Sequence, residues 1–523
     1  MKKLFKNGMW RKFLTLLLIA IELAGIVFSF VALFAFNFEN EAVVFTIILV
    51  AYWVLTAFCV IYIFFTQSEP DYKITWMMCA AALPIVGFML YLLFGNKRIK
   101  LRRKREMARN LEAYHLDATN PDLRERLAKA YPDANATSQY IESASGAGIY
   151  GNTEAKYYPV GDDAFPDMIS ALRKAKHYIF MEYFIVAPGY MWDMILRVLE
   201  QKVNEGVDVR FIYDDFGNLG TLPPKYYEVL REKGIKCFAF RPLKPLVDVR
   251  LNNRDHRKIC VIDGHTGFTG GINLADEYIN KIERFGHWKD NVIRLRGKAV
   301  YSLTLTFLGT WKSFYEKDFS IDAYHYSPET YAKEMDFLGH QSGYVQPYSQ
   351  IPFDYASLGQ NVYLSILARA KKYVYIMTPY LVLGSEMRNA LRNAAMHGVD
   401  VRIITPHIPD KKAVFGLTRS NYRELLVAGV RIYEYTPGFI HSKTFLSDDE
   451  VATVGTINLD FRSLYLHMEN GVYLIGGSAI PAMRKDFDET FAKSEEITKE
   501  NYRKLLRRNR AKWAFLRLIA PLM

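Results

Sequence analysis

The feature that most constrains the fold of this chain is a motif that occurs twice. "HRKICVID" occupies residues 256–263 and "HSKTFLSD" occupies residues 441–448, so that the two histidines are 185 residues apart. The residue pairs that share this offset are His256 and His441, Lys258 and Lys443, Asp263 and Asp448, Gly270 and Gly455, and Asn273 and Asn458. Five positions repeated in register predict two like halves packed about a pseudo-twofold axis, as in a symmetric dimer fused into one chain.

The segments around the motif repeat in the same order. "KAKHYIFMEYFIV" (residues 174–186) is similar to "RAKKYVYIMTPYLV" (369–382), and "EGVDVRFIYDD" (205–215) is similar to "HGVDVRIITPH" (397–407). Apolar, strand-like segments alternate with helix-like ones such as residues 191–206. This alternation predicts α/β halves, each with a helix-covered sheet.

The residues of the motif favour phosphoryl chemistry. If residues 256–263 form a strand, His256 and Lys258 share one face because side chains alternate with period two, while Asp263 lies on the other face. The twofold then brings both histidines and both lysines together. Cations stabilise charge on phosphate oxygens, one imidazole can attack phosphorus, and the other can donate a proton to the leaving alkoxide. Because the lysines supply the positive charge, no metal or other cofactor is expected.

The first hundred residues predict a membrane anchor. Residues 13–36, 42–65 and 74–94 are apolar runs of 24, 24 and 21 residues, and about 20 apolar residues span a bilayer. Basic residues cluster before the first run and at residues 97–105, so both ends read as cytoplasmic by the positive-inside rule. Three full crossings would instead place the two ends on opposite sides of the membrane. Pro84 breaks a backbone hydrogen bond in the third run, so two or three helices remain open.

The motif and its surroundings resemble the bacterial cardiolipin synthases of the phospholipase D superfamily. The resemblance rests on the doubled H-x-K-x(4)-D-x(6)-G-G/T-x-N pattern, on residues 252–278 and 441–471 around it, and on "PIVGFMLYLLFG" at residues 84–95. It implies N-terminal transmembrane helices followed by two phospholipase D-like α/β sandwich halves. It further implies transfer of a phosphatidyl group between two phosphatidylglycerol molecules, through a phospho-histidine, to give cardiolipin and glycerol.

The resemblance also implies roles for further residues. Asp290 and Glu469, some thirty positions after each histidine, are expected to hold the far ring nitrogens, and His256 is expected to be the nucleophile with His441 as general acid. The complete catalytic set predicted is His256, Lys258, Asp263, His441, Lys443, Asp448, Asp290 and Glu469. The predicted substrate-binding residues are Asn273, Asn458, Gly271 and Arg254. Asp263 and Asp448 belong to the motif, although the strand argument favours a structural role for both.

Five regions are predicted along the chain. They are a membrane anchor (residues 1–97), a basic helical linker (98–142), the first half (143–335), the second half (336–498) and a basic amphipathic tail (499–523). The tail either lies on anionic lipid or docks on the domain. The enzyme is expected in the cell membrane as a multi-pass protein with its catalytic domain in the cytoplasm.

Charge and composition leave three function classes. The net charge of +12 suits a phosphate-rich partner, which is either nucleic acid or an anionic membrane. The four cysteines form no C-x-x-C pair, so neither a disulfide framework nor a zinc site is predicted. The first class is a lipid phosphatidyltransferase, or a phospholipase D hydrolase that uses the same intermediate. It competes with a membrane-bound nuclease or phosphodiesterase and with an inactive scaffold. The membrane runs favour phosphatidylglycerol and other anionic lipids as partners over nucleic acid, and the oligomeric state stays open.

Overall fold

The structure is a computed structural model that describes residues 41–66, 69–95, 119–242, 253–316, 320–321, 324, 343–352 and 357–522. Two units are distinguished: an N-terminal one within Met1–Arg98 and a larger one that carries both copies of the motif. The predicted first apolar run and the basic cluster at residues 97–105 lie outside the described residues.

The N-terminal unit contains helices α1 (Glu41–Phe64), α2 (Pro70–Ala82) and α3 (Pro84–Leu90), followed by a π-helical turn (Tyr91–Gly95). Among the described helices, α1 alone is long and apolar enough to cross a membrane, over Thr46–Phe64. The predicted third run is not one continuous helix, because the chain leaves helical geometry at Leu83 and Pro84 starts a new helix. Helices of 13 and 7 residues are each too short to span a bilayer.

The larger unit contains the remaining helices and all described strands. Its helices are α4 (Pro121–Ala130), α5 (Pro132–Ser145), α6 (Gly161–Arg173), α7 (Tyr190–Asn204), α8 (Tyr226–Glu232), α9 (Val300–Phe314), α10 (Leu358–Arg369), α11 (Ser385–Met396), α12 (Lys412–Ser420), α13 (Tyr422–Ala428), α14 (Phe461–Tyr465), α15 (Ala479–Ala492) and α16 (Lys499–Ile519). Short 3₁₀ turns lie at Asp276–Ile279 and Ala520–Leu522.

Seventeen strands complete the unit. They are β1 (Thr153–Tyr158), β2 (Tyr178–Tyr183), β3 (Asp208–Asp214), β4 (Lys236–Phe240), β5 (Ile259–Ile262), β6 (Thr266–Gly270), β7 (His287–Lys289), β8 (Val292–Gly297), β9 (Tyr344–Gln350), β10 (Tyr373–Met377), β11 (Asp400–Pro406), β12 (Arg431–Tyr435), β13 (Gly438–Ile440), β14 (Thr444–Ser447), β15 (Val451–Gly455), β16 (Glu469–Ile475) and β17 (Ser494–Glu496). The repeated segments at residues 174–186 and 205–215 therefore each contain a strand, and the helix predicted at 191–206 is present.

The two sheets have the same strand order, which confirms the predicted pair of α/β halves. The first has the order β1-β8-β6-β5-β2-β3-β4, and the second has β9-β16-β15-β14-β10-β11-β12 with β17 added at its edge. In each, three parallel strands (β2-β3-β4 or β10-β11-β12) adjoin an antiparallel set that begins with the strand after the motif histidine. Strands β7 and β13 form a separate parallel pair, with one strand from each half.

Side chains from both halves share one hydrophobic core. It joins Phe180 and Val261 of the first sheet to Tyr375 and Leu446 of the second, together with side chains of α9 and α15. Each half also has its own core beneath its outer helices. The halves therefore pack sheet towards sheet, and residues at the joint can act as one site.

Two segments at the ends of the larger unit pack on the core of the second half. The described part of the predicted linker (residues 119–142) is helical, but Leu127, Ala134 and Ile141 lie in the core of the second half. The tail is the helix α16, and it buries Trp513 and Leu516 in that same core. Its apolar side is thus docked on the domain, which was the second of the two expected arrangements.

Candidate active site

Backbone pairing between the halves places each motif histidine beside a carboxylate of the other half. The His441 N–H donates to the Lys289 carbonyl at 2.7 Å, next to the parallel pair of β7 and β13. The His256 N–H donates to the Met468 carbonyl at 2.9 Å. In both cases the residue after the carbonyl carries the carboxyl group, so the register itself brings imidazole and carboxylate together.

The same pairing explains why the predicted strand at residues 256–263 begins late. The structure starts β5 at Ile259, whereas Asp255 bridges to Met468 of the other half. His256 and Lys258 therefore lie on extended chain that has left its own sheet to pair across the joint. Their expected common direction does not come from the faces of a strand.

Each imidazole is hydrogen-bonded to one buried carboxylate through Nδ1. His256 Nδ1 lies 3.0 Å from both Glu469 carboxylate oxygens, and His441 Nδ1 lies 2.6 Å from Asp290 Oδ2. Both carboxylates are fully buried, and both histidines are more than nine-tenths buried. A carboxylate on Nδ1 fixes the tautomer that leaves Nε2 for chemistry.

The two lysines lie in the same buried centre. The Lys258 ammonium donates to the His256 carbonyl at 2.5 Å, and the Lys443 ammonium donates to the His441 carbonyl. Burial lowers the pKa of Lys258 to about 7 and that of Lys443 to about 8, although Glu469 and Asp290 oppose the shift at both. The charge of Lys443 lowers the pKa of Lys258, and the charge of Lys258 lowers the pKa of His441. The two copies of the motif therefore contribute to one site.

The two carboxylates titrate differently. Burial raises the pKa of Asp290 to about 7, even though Lys443 and Lys258 favour its anion. Burial acts in the same direction at Glu469, but the charge and hydrogen bond of His256 outweigh it and leave the pKa of Glu469 below its usual value. Burial also lowers the pKa of both imidazoles, that of His256 to about 3. The His441–Asp290 pair thus holds an extra proton up to about neutral pH, while His256 faces a permanent carboxylate.

The two copies of the motif differ at the position next to the carboxylate, which is Gly271 in the first half and Thr456 in the second. A Cβ on Gly271 would lie 1.8 Å from Asp290 Oδ1, so any larger residue there displaces that carboxylate. The equivalent Thr456 instead donates its hydroxyl to Glu469 Oε2. Gly271, predicted to bind substrate, therefore lies beside the carboxylate of Asp290.

Asp263 and Asp448 are not brought to the site. Each lies in a turn with positive φ (51° and 57°) at the far end of the strand after the motif. The Asp263 carboxylate accepts backbone N–H groups of Lys176, His177 and Tyr178, and that of Asp448 accepts those of residues 371–373. The prediction that they belong to the catalytic set is corrected on this geometry, because their oxygens tie the turn to the neighbouring strand.

The predicted substrate-binding side chains have unequal surroundings. Asn273 is engaged within its half, since Oδ1 accepts from the Ile185 N–H at 3.0 Å and Nδ2 donates to the Tyr278 hydroxyl at 2.7 Å. Asn458 Oδ1, in contrast, is buried without a hydrogen-bond partner among the described residues. Arg254 donates to the Arg241 carbonyl at 3.0 Å.

His467 is a site residue that the sequence reasoning did not single out. Its ring centroid lies 5.6 Å from that of His256, and its Nδ1 lies 3.8 Å from Glu469 Oε1. The equivalent residue of the first half is Trp288, two positions before Asp290, with its ring 5.6 Å from His441. The sequence does contain a signal for His467, because the second half has a histidine where the first half has Trp288. His256, His467 and Glu469 are the one set of described residues with the donor atoms and spacing to hold a metal ion.

Arg257 links the motif to both halves from behind. Its guanidinium contacts Glu182 at 2.5 Å and Asp255 at 3.0 Å, and it donates to the Ser349 hydroxyl of the second half at 3.3 Å. All of these groups except Ser349 are buried. The carboxylate of Glu182 is therefore paired with this arginine.

Comparisons with known proteins show which family the chain matches. Residues 168–287 and 363–491 match the family model "Cardiolipin synthase, PLD-like domain", and residues 54–96 match "Phospholipase_D-nuclease N-terminal". The chain is 35% identical to cardiolipin synthase 2 of Bacillus cereus, covering 88% of each protein. It is 34% identical to the cardiolipin synthase of Halalkalibacterium halodurans, covering 90% of this chain and 95% of that one. An uncharacterized protein of Streptococcus mutans is 42% identical, over 89% of this chain and 99% of its own length.

A solved structure shares the fold. The phosphatidylserine synthase of Haemophilus influenzae superposes with a TM-score of 0.56 at 15% identity, covering 74% of this chain and 99% of that one. At this low sequence identity, the similarity shows only that the two proteins share a fold.

Proposed function

Because the chain belongs to the cardiolipin synthase family of phospholipase D-like proteins, we propose that it joins two phosphatidylglycerol molecules into cardiolipin and releases glycerol. The enzyme is a phosphatidyltransferase that acts on phospholipids. The observation that carries the proposal is the reciprocal pairing of His256 with Glu469 and His441 with Asp290 around two buried lysines.

The first half-reaction uses His256 as nucleophile. Neutral His256, with its Nδ1–H directed at Glu469, attacks the phosphorus of the first phosphatidylglycerol through Nε2. The bond from phosphorus to the glycerol oxygen breaks, and His441 donates its proton to that oxygen. Lys258 and Lys443 stabilise the charge on the phosphoryl oxygens. The product is a phosphatidyl–His256 intermediate and free glycerol.

The unequal carboxylates support this assignment of roles. A general acid must hold its proton at working pH, and the His441–Asp290 pair does so because the pKa of Asp290 is raised to about 7. The nucleophile needs a neutral ring held by a carboxylate that stays ionised, which describes His256 with Glu469.

In the second half-reaction the proton moves in the opposite direction, back to His441. His441, now neutral, accepts the proton from a glycerol hydroxyl of a second phosphatidylglycerol, whose oxygen attacks phosphorus. The phosphorus–nitrogen bond breaks, cardiolipin leaves, and His256 and His441 return to their starting states. The same intermediate would react with water, so the acceptor decides between transfer and hydrolysis.

The proposal includes the setting of the enzyme. We assign the protein to the cell membrane as a multi-pass protein, with residues 1–97 as anchor and both catalytic halves in the cytoplasm. The apolar helix α1 and the match of residues 54–96 to an N-terminal family domain support membrane attachment. Phosphatidylglycerol and other anionic lipids are its proposed partners.

The experiment that tests the function follows both products. The full chain is reconstituted with phosphatidylglycerol that carries different labels in headgroup glycerol and acyl chains. One cardiolipin should form for each glycerol released. Glycerol release with phosphatidic acid in place of cardiolipin would identify a hydrolase instead.

Two variants make the assay specific. His256→Ala should lower turnover by about 100–10,000-fold, in the range of lost acid–base or nucleophilic groups. His265→Ala is the matched control, because His265 follows the same motif but contacts Thr266 in a turn. Equal activity of the two variants would contradict the proposed site.

A further inference from the structure

Three outer helices of the second half form one layer. Glu424 of α13 contacts Arg388 of α11 at 3.7 Å and Arg517 of α16 at 2.7 Å. Helix α16 is further fixed by Trp513 and Leu516, which are buried against α12. This helical layer (α11, α13 and α16) therefore presents a fixed outer face.

The outward side of α16 changes character along its length. Lys504, Arg507 and Arg508 are exposed in the earlier turns, and Phe515 and Leu518 are exposed in the last turns. These positions are spaced by one, three, four or seven residues, so they lie on one side of a helix, opposite buried Trp513 and Leu516. The result is a stripe of cations followed by a stripe of apolar side chains.

The neighbouring helices also carry exposed apolar side chains. Met396 at the end of α11 is 68% exposed and Val427 of α13 is 70% exposed, compared with 62% for Phe515. The three helices contain eleven basic and three acidic residues. Within the described residues, no carboxylate lies at ion-pair distance from Arg507 or Arg508. The layer thus combines a strong positive charge with large exposed apolar side chains.

We propose that the outer face of this helical layer docks on an anionic bilayer surface, with the cations on lipid phosphates and Phe515 and Leu518 in the interfacial region. Cations flanked by exposed Phe and Leu are the composition of interfacial helices. Nucleic acid would use the cations but leave the aliphatic side chains in water. The chain also contains one described helix, α1, that is long and apolar enough to cross a bilayer.

The test measures contact of one side chain with lipid in the full-length protein. Phe515→Cys is labelled with a fluorophore, and the protein is placed in nanodiscs whose acyl chains carry bromine as a quencher. Phosphatidylserine is the anionic lipid, so that surface docking is separated from turnover of phosphatidylglycerol. The label should be quenched in discs with phosphatidylserine and much less so in phosphatidylcholine alone, and added salt should reverse the quenching.

Controls decide between outcomes. Val229→Cys on α8, 40% exposed in the first half, should give no quenching in either lipid. Arg507→Glu with Arg508→Glu should weaken the response of the 515 label, by about fivefold for each cation removed. A 515 label that is unquenched in both lipids, quenched equally in both, or altered by single-stranded RNA instead of lipid would overturn the proposal. Retained turnover of the labelled variants would show that they are folded.

Discussion

Nδ1 of His441 lies 2.6 Å from Oδ2 of Asp290, a residue of the opposite half of the chain. The reverse pairing joins His256 to Glu469 at 3.0 Å. Each motif histidine therefore takes its carboxylate from the other half, and the duplicated chain makes this site only when its halves are packed together. This reciprocity is what a twofold interface produces, where each side supplies to its partner what it receives.

The carboxylates give the first prediction. Glu469→Gln and Asp290→Asn preserve shape but remove the charge that orients each ring and stabilises its imidazolium. Each should lower kcat by about 100–10,000-fold with little change in lipid binding. Steady-state kinetics of the purified full chain measures both. Glu434→Gln, which removes a buried carboxylate that pairs with Arg419, is the comparison for effects on folding alone.

Trapping of the intermediate gives the second prediction. Replacing His441 with Ala removes the general acid but leaves the nucleophile, so a donor with an activated leaving group should still form phosphatidyl–His256. Mass spectrometry of rapidly quenched His441→Ala should detect the modified residue, and His256→Ala should yield none. Modification of His441 in the His256→Ala variant would reverse the two roles.

The motif aspartates give the third prediction, which concerns stability. Asp263→Ala leaves three backbone N–H groups of residues 176–178 without their acceptor, and should lower the free energy of unfolding by about 1–3 kcal/mol. Asp448→Ala should behave alike. Activity per folded molecule should stay near that of the parent. Thermal unfolding beside kinetics tests this, with exposed Glu232→Ala as the neutral reference, and a collapse of kcat without a loss of stability would contradict it.

Sequence reasoning reached the doubled site because the motif keeps one offset, 185 residues, from His256 to Asn273 and from His441 to Asn458. The carboxylates do not keep it, since Asp290 and Glu469 are 179 residues apart, and they were reached only through resemblance to a family. What the sequence could not supply was the pairing across the joint. Residues 256–258 read as strand because apolar residues follow them, yet Asp255 bridges to Met468 of the other half and the His256 N–H donates to the Met468 carbonyl. His467 was missed because it lies beside His256 only when the two halves are paired.

Metal dependence gives the fourth prediction. Lys258 and Lys443 already supply cationic groups at the phosphoryl oxygens, which is the charge that a divalent ion provides in other phosphoryl-transfer sites. Chelation of the purified enzyme should therefore change kcat by less than about twofold. The lysines themselves are the positive control, since Lys443→Met removes one cation at similar length and should cost far more. Loss of activity to chelator, restored by one specific metal, would contradict this reading and direct attention to His256, His467 and Glu469.

The pH dependence gives the fifth prediction. The His441–Asp290 pair loses its extra proton as pH rises through the pKa of Asp290, about 7, and the lysines lose theirs through about 7 and about 8. All three are needed protonated, so kcat/KM should be highest below neutrality and fall as the pH rises from 7 to 9. A bound phosphodiester is an anion and raises the pKa of every one of these groups, so the fall of kcat should begin at higher pH than that of kcat/KM. Lys443→Arg, which keeps its charge at any such pH, should move part of the alkaline fall upward even if its activity is lower. Profiles that stay level to pH 9, or that are unchanged in shape by Lys443→Arg, would show that the buried pair and the lysines do not set the working protonation state.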